Sequence, residues 1–413
     1  MKRRPLFLVL WLFAGLLALV LVLRIFVADL YRVESSSMVP TIFGGDSLDE
    51  WVLVRYEGPE GLERFDLAVA YSDVGELVVK RVVALPGETV QVLGGDLFID
   101  GSRLEASSPR PALVSLFDSE FHRVEDEFEV GANAWSRDGD TWVLDGAGKG
   151  VNFEANTLLW RSRLDDGYLL PDRTRELGSR PVKDGALELE LELLSGGGLL
   201  YFDLREEGDC FRASLRPSRE PTSDGGIRAE ARLERFQILA NPTELFAASV
   251  LVEQETLAQE SVVIRPGVTQ TLHFSNLDNT LYFSLGESFA LTHSYAANRS
   301  VEGASVAPGK TIGAQVSFGG NGLMARVPRI RILRDPSWTS QGEFGVERPL
   351  SLGPGEYFLL GDHSAESQDG RTWGATRASD LLGRPLEVIW PRDRARSLGG
   401  DQWRRVPDSG SSD

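Results

Sequence analysis

The chain has 413 residues, a formal net charge of −18 at pH 7 and a hydrophobic content of 42%. This length exceeds what one core usually serves and predicts two or three domains, and the acidic balance argues against nucleic acid as a partner because it would repel a phosphate backbone. The single cysteine, Cys210, cannot form an internal disulfide, and the four histidines lack zinc-ligand spacing. We therefore expect a chain stabilised by packing, with no metal and no other cofactor.

The N-terminal segment is predicted to cross a membrane. Residues 5–23 carry no charge and, at about 1.5 Å per residue, are long enough to span a hydrocarbon core of about 30 Å. The basic residues at 2–4 predict a cytoplasmic N-terminus and an extracytoplasmic remainder. A cleaved signal peptide is the alternative, but its apolar region would span only about 7–15 residues. Residues 1–29 are therefore predicted to form a cytoplasmic N-terminus and an uncleaved, single-pass anchor in the inner or plasma membrane.

Residues 33–100 follow an all-β pattern. Short runs rich in β-branched residues alternate with glycine turns, which is typical of strands joined by tight connections. The predicted strands are 51–55, 67–71, 77–84, 89–92 and 97–99.

The middle of the chain, from about 102 to 345, has strands of its own. In residues 187–193 leucine and glutamate alternate with period two, which puts one face in water and the other in a core. This texture, with Gly, Asn and Asp between the runs, is typical of a β-sandwich. Further predicted strands are 199–204, 211–215, 227–236, 250–252, 269–274, 280–285, 312–318 and 323–333.

The last stretch contains two further predicted strands, 357–360 and 385–390. A polar tail follows from about residue 405, and such tails usually fray.

Three segments contain residue types that can act in catalysis. A serine run at 35–37 lies just beyond the predicted membrane span, Lys80 lies among valines in the predicted strand at 77–84, and residues 361–374 form a polar loop after a strand. Each has an ordinary explanation when taken singly. These are a solvated serine run, a lysine on the solvent face of a strand, and a turn.

Together, in the same order and behind the same kind of anchor, these segments resemble the bacterial type I signal peptidases of peptidase family S26. The resemblance covers about residues 1–101 and 346–395 and leaves the middle of the chain outside. The matching segments are 37–41 for the nucleophile box, 80–87 for the lysine box, 361–374 for the C-terminal box and 64–66 for the remaining box.

The resemblance implies catalysis by a serine–lysine dyad, in which Ser37 attacks the scissile carbonyl and Lys80 is the base. A serine hydroxyl needs a positioned base to remove its proton, and lysine can act so only when neutral. The valines around Lys80 would favour that neutral form by desolvation, which lowers the pKa of a lysine from its usual value of about 10.4.

The resemblance also assigns supporting roles. Ser35 corresponds to the residue whose hydroxyl joins the Ser37 N–H in the oxyanion hole, and Ser367 to the serine that orients the lysine. Met38 and Pro40 either shape the turn that presents Ser37 or simply pack against the sheet. The supporting charged cluster near the dyad corresponds to Asp362, Asp369, Arg371 and Arg81.

The chain departs from the family pattern in three places. His363 stands where asparagine is frequent, and Gly370 where serine is frequent. The larger departure is the insertion at 102–345, which the smallest members of the family lack. Within it, residues 271–285 resemble the strand–turn–strand of laminin-G or concanavalin-like jelly rolls. Such sandwiches often bind glycans, whereas a spacer or docking domain is the plainer interpretation, and the ligand is not identified.

The expected fold is mainly β: a transmembrane helix and a signal-peptidase-like coiled antiparallel sheet, interrupted by a jelly-roll-like β-sandwich. The chain is predicted to divide into the anchor segment 1–29, an N-terminal catalytic segment at 30–101, the inserted sandwich at 102–345, a C-terminal catalytic segment at 346–404 and a flexible tail at 405–413.

The predicted function is that of a membrane-bound serine endopeptidase that cleaves signal peptides from exported preproteins, with preproteins and the lipid bilayer as partners. One alternative is a membrane-tethered binding protein whose sandwich recognises a surface ligand while the peptidase half is a scaffold. Another is a self-cleaving regulator with the same dyad. That regulator would need a cytoplasmic chain and usually a DNA-binding segment, against the predicted topology and acidity.

Overall fold

The structure is a computed structural model that describes residues 15, 28–45, 48–104, 110–131, 134–146, 156–206, 208–238, 251–295, 314–399 and 403–404. Its described residues form two compact units. The N/C unit contains those up to 104, 110–111 and 337–404, and the central unit those from 112 to 336. The predicted span at 5–23 lies, apart from residue 15, outside the described residues. Among the described helices, none is long and apolar enough to cross a bilayer.

Within residues 28–45, 48–104 and 110–111, the N/C unit consists of strands and a short 3-10 helix, Ser36–Met38, which follows the first strand. The predicted strands at 67–71 and 77–84 are confirmed to the residue. The strands are β1 (Ala28–Val33), β2 (Glu50–Tyr56), β3 (Leu67–Tyr71), β4 (Leu77–Ala84), β5 (Thr89–Leu93), β6 (Asp96–Ile99), β7 (Ser102–Arg103) and β8 (Arg110–Pro111).

The described residues of the central unit include long strands and a single-turn helix, α1 (Val124–Glu127). The strands are β9 (Val114–Asp118), β10 (Phe128–Val130), β11 (Trp135–Asp138), β12 (Thr141–Asp145), β13 (Thr157–Trp160), β14 (Tyr168–Leu169), β15 (Arg175–Glu176), β16 (Gly185–Ser195), β17 (Leu199–Glu206), β18 (Asp209–Pro221), β19 (Ile227–Ile238), β20 (Leu251–Ile264), β21 (Thr269–Leu277), β22 (Thr280–Leu285), β23 (Phe289–Ser294), β24 (Gln315–Asn321) and β25 (Met324–Arg334).

The C-terminal portion of the chain returns to the N/C unit. It contains the single-turn helix α2 (Gly370–Trp373) and the 3-10 turns Ala378–Asp380 and Arg392–Arg394. The strands are β26 (Leu350–Ser351), β27 (Glu356–Leu360), β28 (Thr376–Arg377), β29 (Leu381–Trp390), β30 (Arg396–Ser397) and β31 (Trp403–Arg404).

Strands from both ends of the chain share the main sheet of the N/C unit. Its order is β1-β2-β29-β3-β4-β27-β28, with β30 on β29, and neighbouring strands run antiparallel. A smaller sheet has the order β26-β5-β6-β7, and β8 pairs with β31. Because β27 pairs with β4, Leu360 lies opposite Arg81. The loop that leaves β27 therefore begins beside Lys80.

The central unit is a sandwich of two antiparallel sheets. One has the order β10-β13-β24-β17-β18-β19-β20, and the other β11-β12-β25-β16-β21-β22-β23, with β9 on β25. Both sheets contribute to one apolar core, in which Phe202 of β17 stacks on Phe283 of β22 with ring centroids 6.1 Å apart. The Leu–Glu alternation of β16 puts Leu187 and Leu189 into this core, while Glu188 on the opposite face pairs with Arg331.

Several strand boundaries differ from those predicted. The strand predicted at 250–252 is β20, which continues to Ile264, and residue 250 lies outside the described residues. Most of residues 254–261 are exposed because β20 ends its sheet, so apolar alternation does not mark the strand. The strand predicted at 312–318 is β24, which begins at Gln315. The strands without a sequence prediction, most of them short, are β1, β7 to β15, β23, β26, β28, β30 and β31.

The ends of two predicted segments also differ. Residues 28–29, predicted to belong to the anchor segment, lie in β1, where Ala28 pairs with Arg55. Residues 102–104, 110–111 and 337–345, predicted to belong to the insertion, lie in the N/C unit. The physical reason is apolar burial, since Trp338 lies in the same core cluster as Val90 and Phe358.

Candidate active site

Ser37 lies in the 3-10 helix that follows β1. Its neighbour Met38 and the nearby Ile42 are fully buried in an apolar cluster with β2 and β3, so the turn is held by packing. The main-chain carbonyl of Ser37 accepts a hydrogen bond of 3.0 Å from the N–H of His363. The turn is thus attached both to the sheet and to the loop after β27, which leaves Ser37 itself only 8% exposed.

Lys80 lies on β4 with its side chain directed at Ser37. Its Nζ donates to Ser37 Oγ at 2.7 Å and to Ser367 Oγ at 3.2 Å. Burial lowers the pKa of Lys80 to about 8; the charges of Asp369 and Asp362 oppose this decrease, and Arg371 adds to it. A neutral amine at this distance can take a proton from the serine hydroxyl, and at this pKa the neutral form is present near physiological pH.

Two hydrogen-bond donors, the Ser35 hydroxyl and the Ser37 N–H, lie near Ser37 Oγ. Ser35 Oγ lies 3.2 Å from Ser37 Oγ. The N–H of Ser37 belongs to the first turn of its 3-10 helix, where N–H groups have no partner within the helix. An N–H and a hydroxyl in this position can stabilise the negative oxygen that forms when a serine attacks a carbonyl.

Gly361 follows β27 and lies against the serine turn. A Cβ atom at this position would lie 2.1 Å from Ser367 Oγ and 2.6 Å from the main-chain oxygen of Ser37. Both distances are far inside van der Waals contact. Only glycine lets the loop pass this close, so Gly361 sets how near Ser367 and Ser37 come to Lys80.

Two buried ion pairs flank Lys80. Arg81 donates to Asp362 from Nε at 2.7 Å and from Nη2 at 2.5 Å, and Thr41 Oγ1 also donates to this carboxylate. Arg371 donates to Asp369 from Nε at 2.9 Å and from Nη2 at 2.7 Å. Each carboxylate has both oxygens engaged by arginine, as burial of charge requires.

The structure thus brings together all the residues that the sequence assigned to the site. Ser35, Ser37, Lys80 and Ser367 are in direct contact, and the two arginine–aspartate pairs surround them. The remaining box, 64–66, reaches the site only through Arg81, which donates to the carbonyl of Phe65. Arg64 pairs with Glu88, and Asp66 pairs with Arg384.

Sequence reasoning missed three polar residues of the site. Thr41, inside a matched box, donates to Asp362, and Ser364 accepts 2.6 Å from Arg371 Nη1. Thr339 lies outside every matched box and accepts from the same nitrogen. Thr41 could have been found from its box, but nothing in the local sequence marks Thr339.

Comparison with known proteins agrees with the position of the site. A family described as "Signal peptidase, peptidase S26" matches residues 6–133 and 332–390, and these two segments contain Ser37, Lys80 and Ser367. Signal peptidase I of Bacillus caldolyticus is 35% identical over 96 residues, 23% of this chain and 52% of that protein. Probable signal peptidase I-1 of Synechocystis is 40% identical over 96 residues, which are 22% of this chain and 49% of that protein. The chain thus spans about half the length of these relatives.

Solved structures align with a larger share of this chain than these relatives do, but with low sequence identity and low TM-scores. The alignment with the laminarinase of Rhodothermus marinus covers 55% of this chain and 98% of the laminarinase chain, at 9% identity and a TM-score of 0.32. A score this low carries no conclusion about this chain.

Proposed function

We propose that this protein is a membrane-bound serine endopeptidase that cleaves signal peptides from exported preproteins, with Ser37 as nucleophile and Lys80 as base. The observation that carries the proposal is the hydrogen bond of 2.7 Å between the buried Lys80 Nζ and Ser37 Oγ. The signal peptidase match at 6–133 and 332–390 supports it, because both residues of this pair and the loop after β27 lie inside the matched segments.

The reaction begins with neutral Lys80. As Ser37 Oγ attacks the scissile carbonyl carbon, its proton passes to Lys80 Nζ and the carbonyl oxygen becomes negative. The Ser37 N–H and the Ser35 hydroxyl donate to this oxygen. When the tetrahedral intermediate collapses, the peptide C–N bond breaks and protonated Lys80 returns the proton to the leaving amine. Ser37 then carries the signal peptide as an ester.

Hydrolysis of the ester uses the same groups. Lys80, neutral again, takes a proton from a water molecule that attacks the ester carbonyl, and the second tetrahedral intermediate releases Ser37 Oγ with that proton. Ser367 Oγ, which lies 3.2 Å from Lys80 Nζ, orients the amine for both steps. The pairs Arg81–Asp362 and Arg371–Asp369 position the loop that bears Ser367.

The cellular setting rests on the sequence. The uncharged run at 5–23 would anchor the chain, and the basic residues before it would keep the N-terminus cytoplasmic and put the site on the extracytoplasmic face of the membrane. Exported preproteins arrive at this face with their signal peptides still attached. The central unit would then be an accessory domain, a spacer or a docking module.

A tethered binding protein with an inactive peptidase half is less consistent with the site. Removing a lysine from water disfavours its charged form, so a buried Lys80 reduces the stability of the fold near neutral pH. An inactive scaffold gains nothing from a buried lysine that lowers its stability. A serine peptidase needs one, because only a neutral lysine can act as its base.

Cleavage of a preprotein by the purified full-length chain in detergent tests the proposal. We expect release of the mature protein by the wild type and none by Lys80→Met, which keeps the length of the side chain without its amine. Absence of cleavage by a folded wild type across several preproteins, or cleavage by the Met variant, would overturn it.

A further inference from the structure

A short segment directly after the central unit wraps around the arginines of the site. We call residues 338–344 the exit strap. Trp338 stacks on Phe65 with ring centroids 6.1 Å apart and planes within 6°, and the carbonyl of Phe65 accepts 2.8 Å from Arg81 Nη1. The strap thus supports the Arg81–Asp362 pair from behind.

The strap is in direct contact with Arg371. The N–H groups of Glu343 and Phe344 donate to the carbonyl of Arg371 at 2.7 and 3.0 Å. Gly342 has φ = +135°, and a Cβ there would lie 2.6 Å from both Cβ and the carbonyl oxygen of Arg371. Main chain therefore lies against main chain at this point, and glycine is required by both conformation and space.

Thr339 completes the environment of the guanidinium. Arg371 Nη1 donates to the Thr339 carbonyl at 2.9 Å, to Thr339 Oγ1 at 2.6 Å and to Ser364 Oγ at 2.6 Å. The N–H of Thr339 donates to Ser364 Oγ at 2.7 Å. Every polar atom of Thr339 is used, and Arg371 is only 2% exposed. The two N–H groups of Nη1 share these three acceptors, and a buried N–H that loses its acceptor would cost stability.

The other side of the guanidinium faces the base. Nε and Nη2 of Arg371 hold both oxygens of Asp369, which also accepts 3.0 Å from the N–H of Gly361. The charges that act on Lys80 are those of Asp369 and Asp362, which favour its protonated form, and that of Arg371, which opposes it. Its hydrogen-bond partners are Ser37 and Ser367.

We propose that Thr339 is a positioning residue of the active site, which holds the Arg371 guanidinium on Asp369 so that this carboxylate is neutralised beside Lys80. The inference rests on the proposed function, because it assigns a catalytic consequence to the protonation of Lys80. It means that one residue of the segment that follows the central unit, Thr339, acts on the site through Arg371.

The test is Thr339→Val in the full-length chain, which removes the hydroxyl and keeps the shape and both main-chain partners. With Arg371 held less firmly, Asp369 acts more strongly on Lys80, whose pKa rises. We expect the acid limb of the pH dependence of kcat to move up by about half a pH unit. At pH values below the midpoint, kcat should then be roughly threefold lower than in the wild type. KM should stay unchanged, and Thr339→Ser should restore the wild-type profile.

The matched control is Ser340→Ala. Ser340 Oγ accepts from the N–H of Gly94 at 3.0 Å and contacts neither arginine, so its loss should affect stability alone. Ser364→Ala removes a second acceptor from Arg371 and should move the profile in the same direction as Thr339→Val. It also keeps the proposal testable if the Val variant does not fold.

A second measurement separates this inference from the proposed function. The pH dependence of Lys80 acylation by an amine-reactive ester, followed by mass spectrometry, reports its pKa in any folded chain, active or not. An upward shift in Thr339→Val supports the positioning role even if no preprotein is cleaved. A profile and a labelling midpoint equal to those of the wild type, with only a lower Tm, would overturn it.

Discussion

Lys80 Nζ donates to Ser37 Oγ at 2.7 Å, although β4 and the 3-10 helix that carry these residues are separated by β2 and β3. The contact depends on a third element from the far end of the chain. The loop after β27 binds the Ser37 carbonyl through His363 N–H and binds Lys80 through Ser367. The site therefore exists only when both ends of the chain share one sheet.

Ser37→Ala should abolish preprotein cleavage while the chain stays folded, because no other hydroxyl lies as close to Lys80 Nζ among the described residues. Release of the mature protein from a preprotein in detergent is the measurement. Ser36→Ala is the control and should be tolerated, since Ser36 Oγ points to the exposed Glu366. A Ser37→Ala variant as active as the wild type would remove Ser37 from the mechanism.

Activity should rise with pH through a midpoint near the Lys80 pKa of about 8. Below that pH the amine is protonated and has no lone pair to accept the Ser37 proton; above it the neutral base predominates. A pH–rate profile of kcat checks this. Lys80→Arg should be inactive at every usable pH, because a guanidinium stays protonated. A flat profile from neutral to alkaline pH would contradict the assignment of Lys80 as base.

Ser35→Ala should reduce kcat by about 10²–10³-fold if its hydroxyl donates to the developing oxyanion. KM should change little, because the oxyanion forms only in the transition state. Ser367→Ala should be impaired but active, since Ser367 orients Lys80 without carrying a proton. Equal kcat values for Ser35→Ala and the wild type would exclude the oxyanion role.

Gly361→Ala should lose most of its activity, because the added Cβ would meet Ser367 Oγ at 2.1 Å and the Ser37 carbonyl at 2.6 Å. Either the loop or the serine turn must move, and both carry partners of Lys80. The measurements are kcat and Tm. Gly399→Ala, in the same unit and with its nearest neighbour 3.9 Å from the new Cβ, is the control and should behave as wild type. Full activity of Gly361→Ala would show that the loop has more room than the structure indicates.

Replacement of the central unit at 112–336 by a Gly/Ser linker should leave cleavage of short signal-peptide substrates intact. The reason is that this unit has its own core and contains none of the site residues. The wider replacement of 102–345 also deletes the exit strap and should be inactive. Circular dichroism must show both shortened chains folded. Loss of activity in the folded 112–336 replacement would mean that the central unit itself is needed for cleavage.

Much of the architecture is determined by local sequence. The runs that form β3 and β4 end at turn residues, and their bounds follow from composition alone. The Leu–Glu alternation of β16 specifies a half-buried strand, because successive side chains point to opposite faces. Ser37, Lys80 and Ser367 could be identified because each lies in a short segment whose residue types and order resemble those of signal peptidases.

Other features were decided only by tertiary structure. Whether a polar strand such as β20 forms depends on its neighbour β19, and no apolar period reveals it. The unit to which 337–345 belong depends on where Trp338 finds an apolar core. Thr339 meets Arg371 across 32 residues of chain. The reason is the same in each case: burial and hydrogen-bond satisfaction are set by what lies nearby in space, while local sequence determines only which conformations a segment prefers.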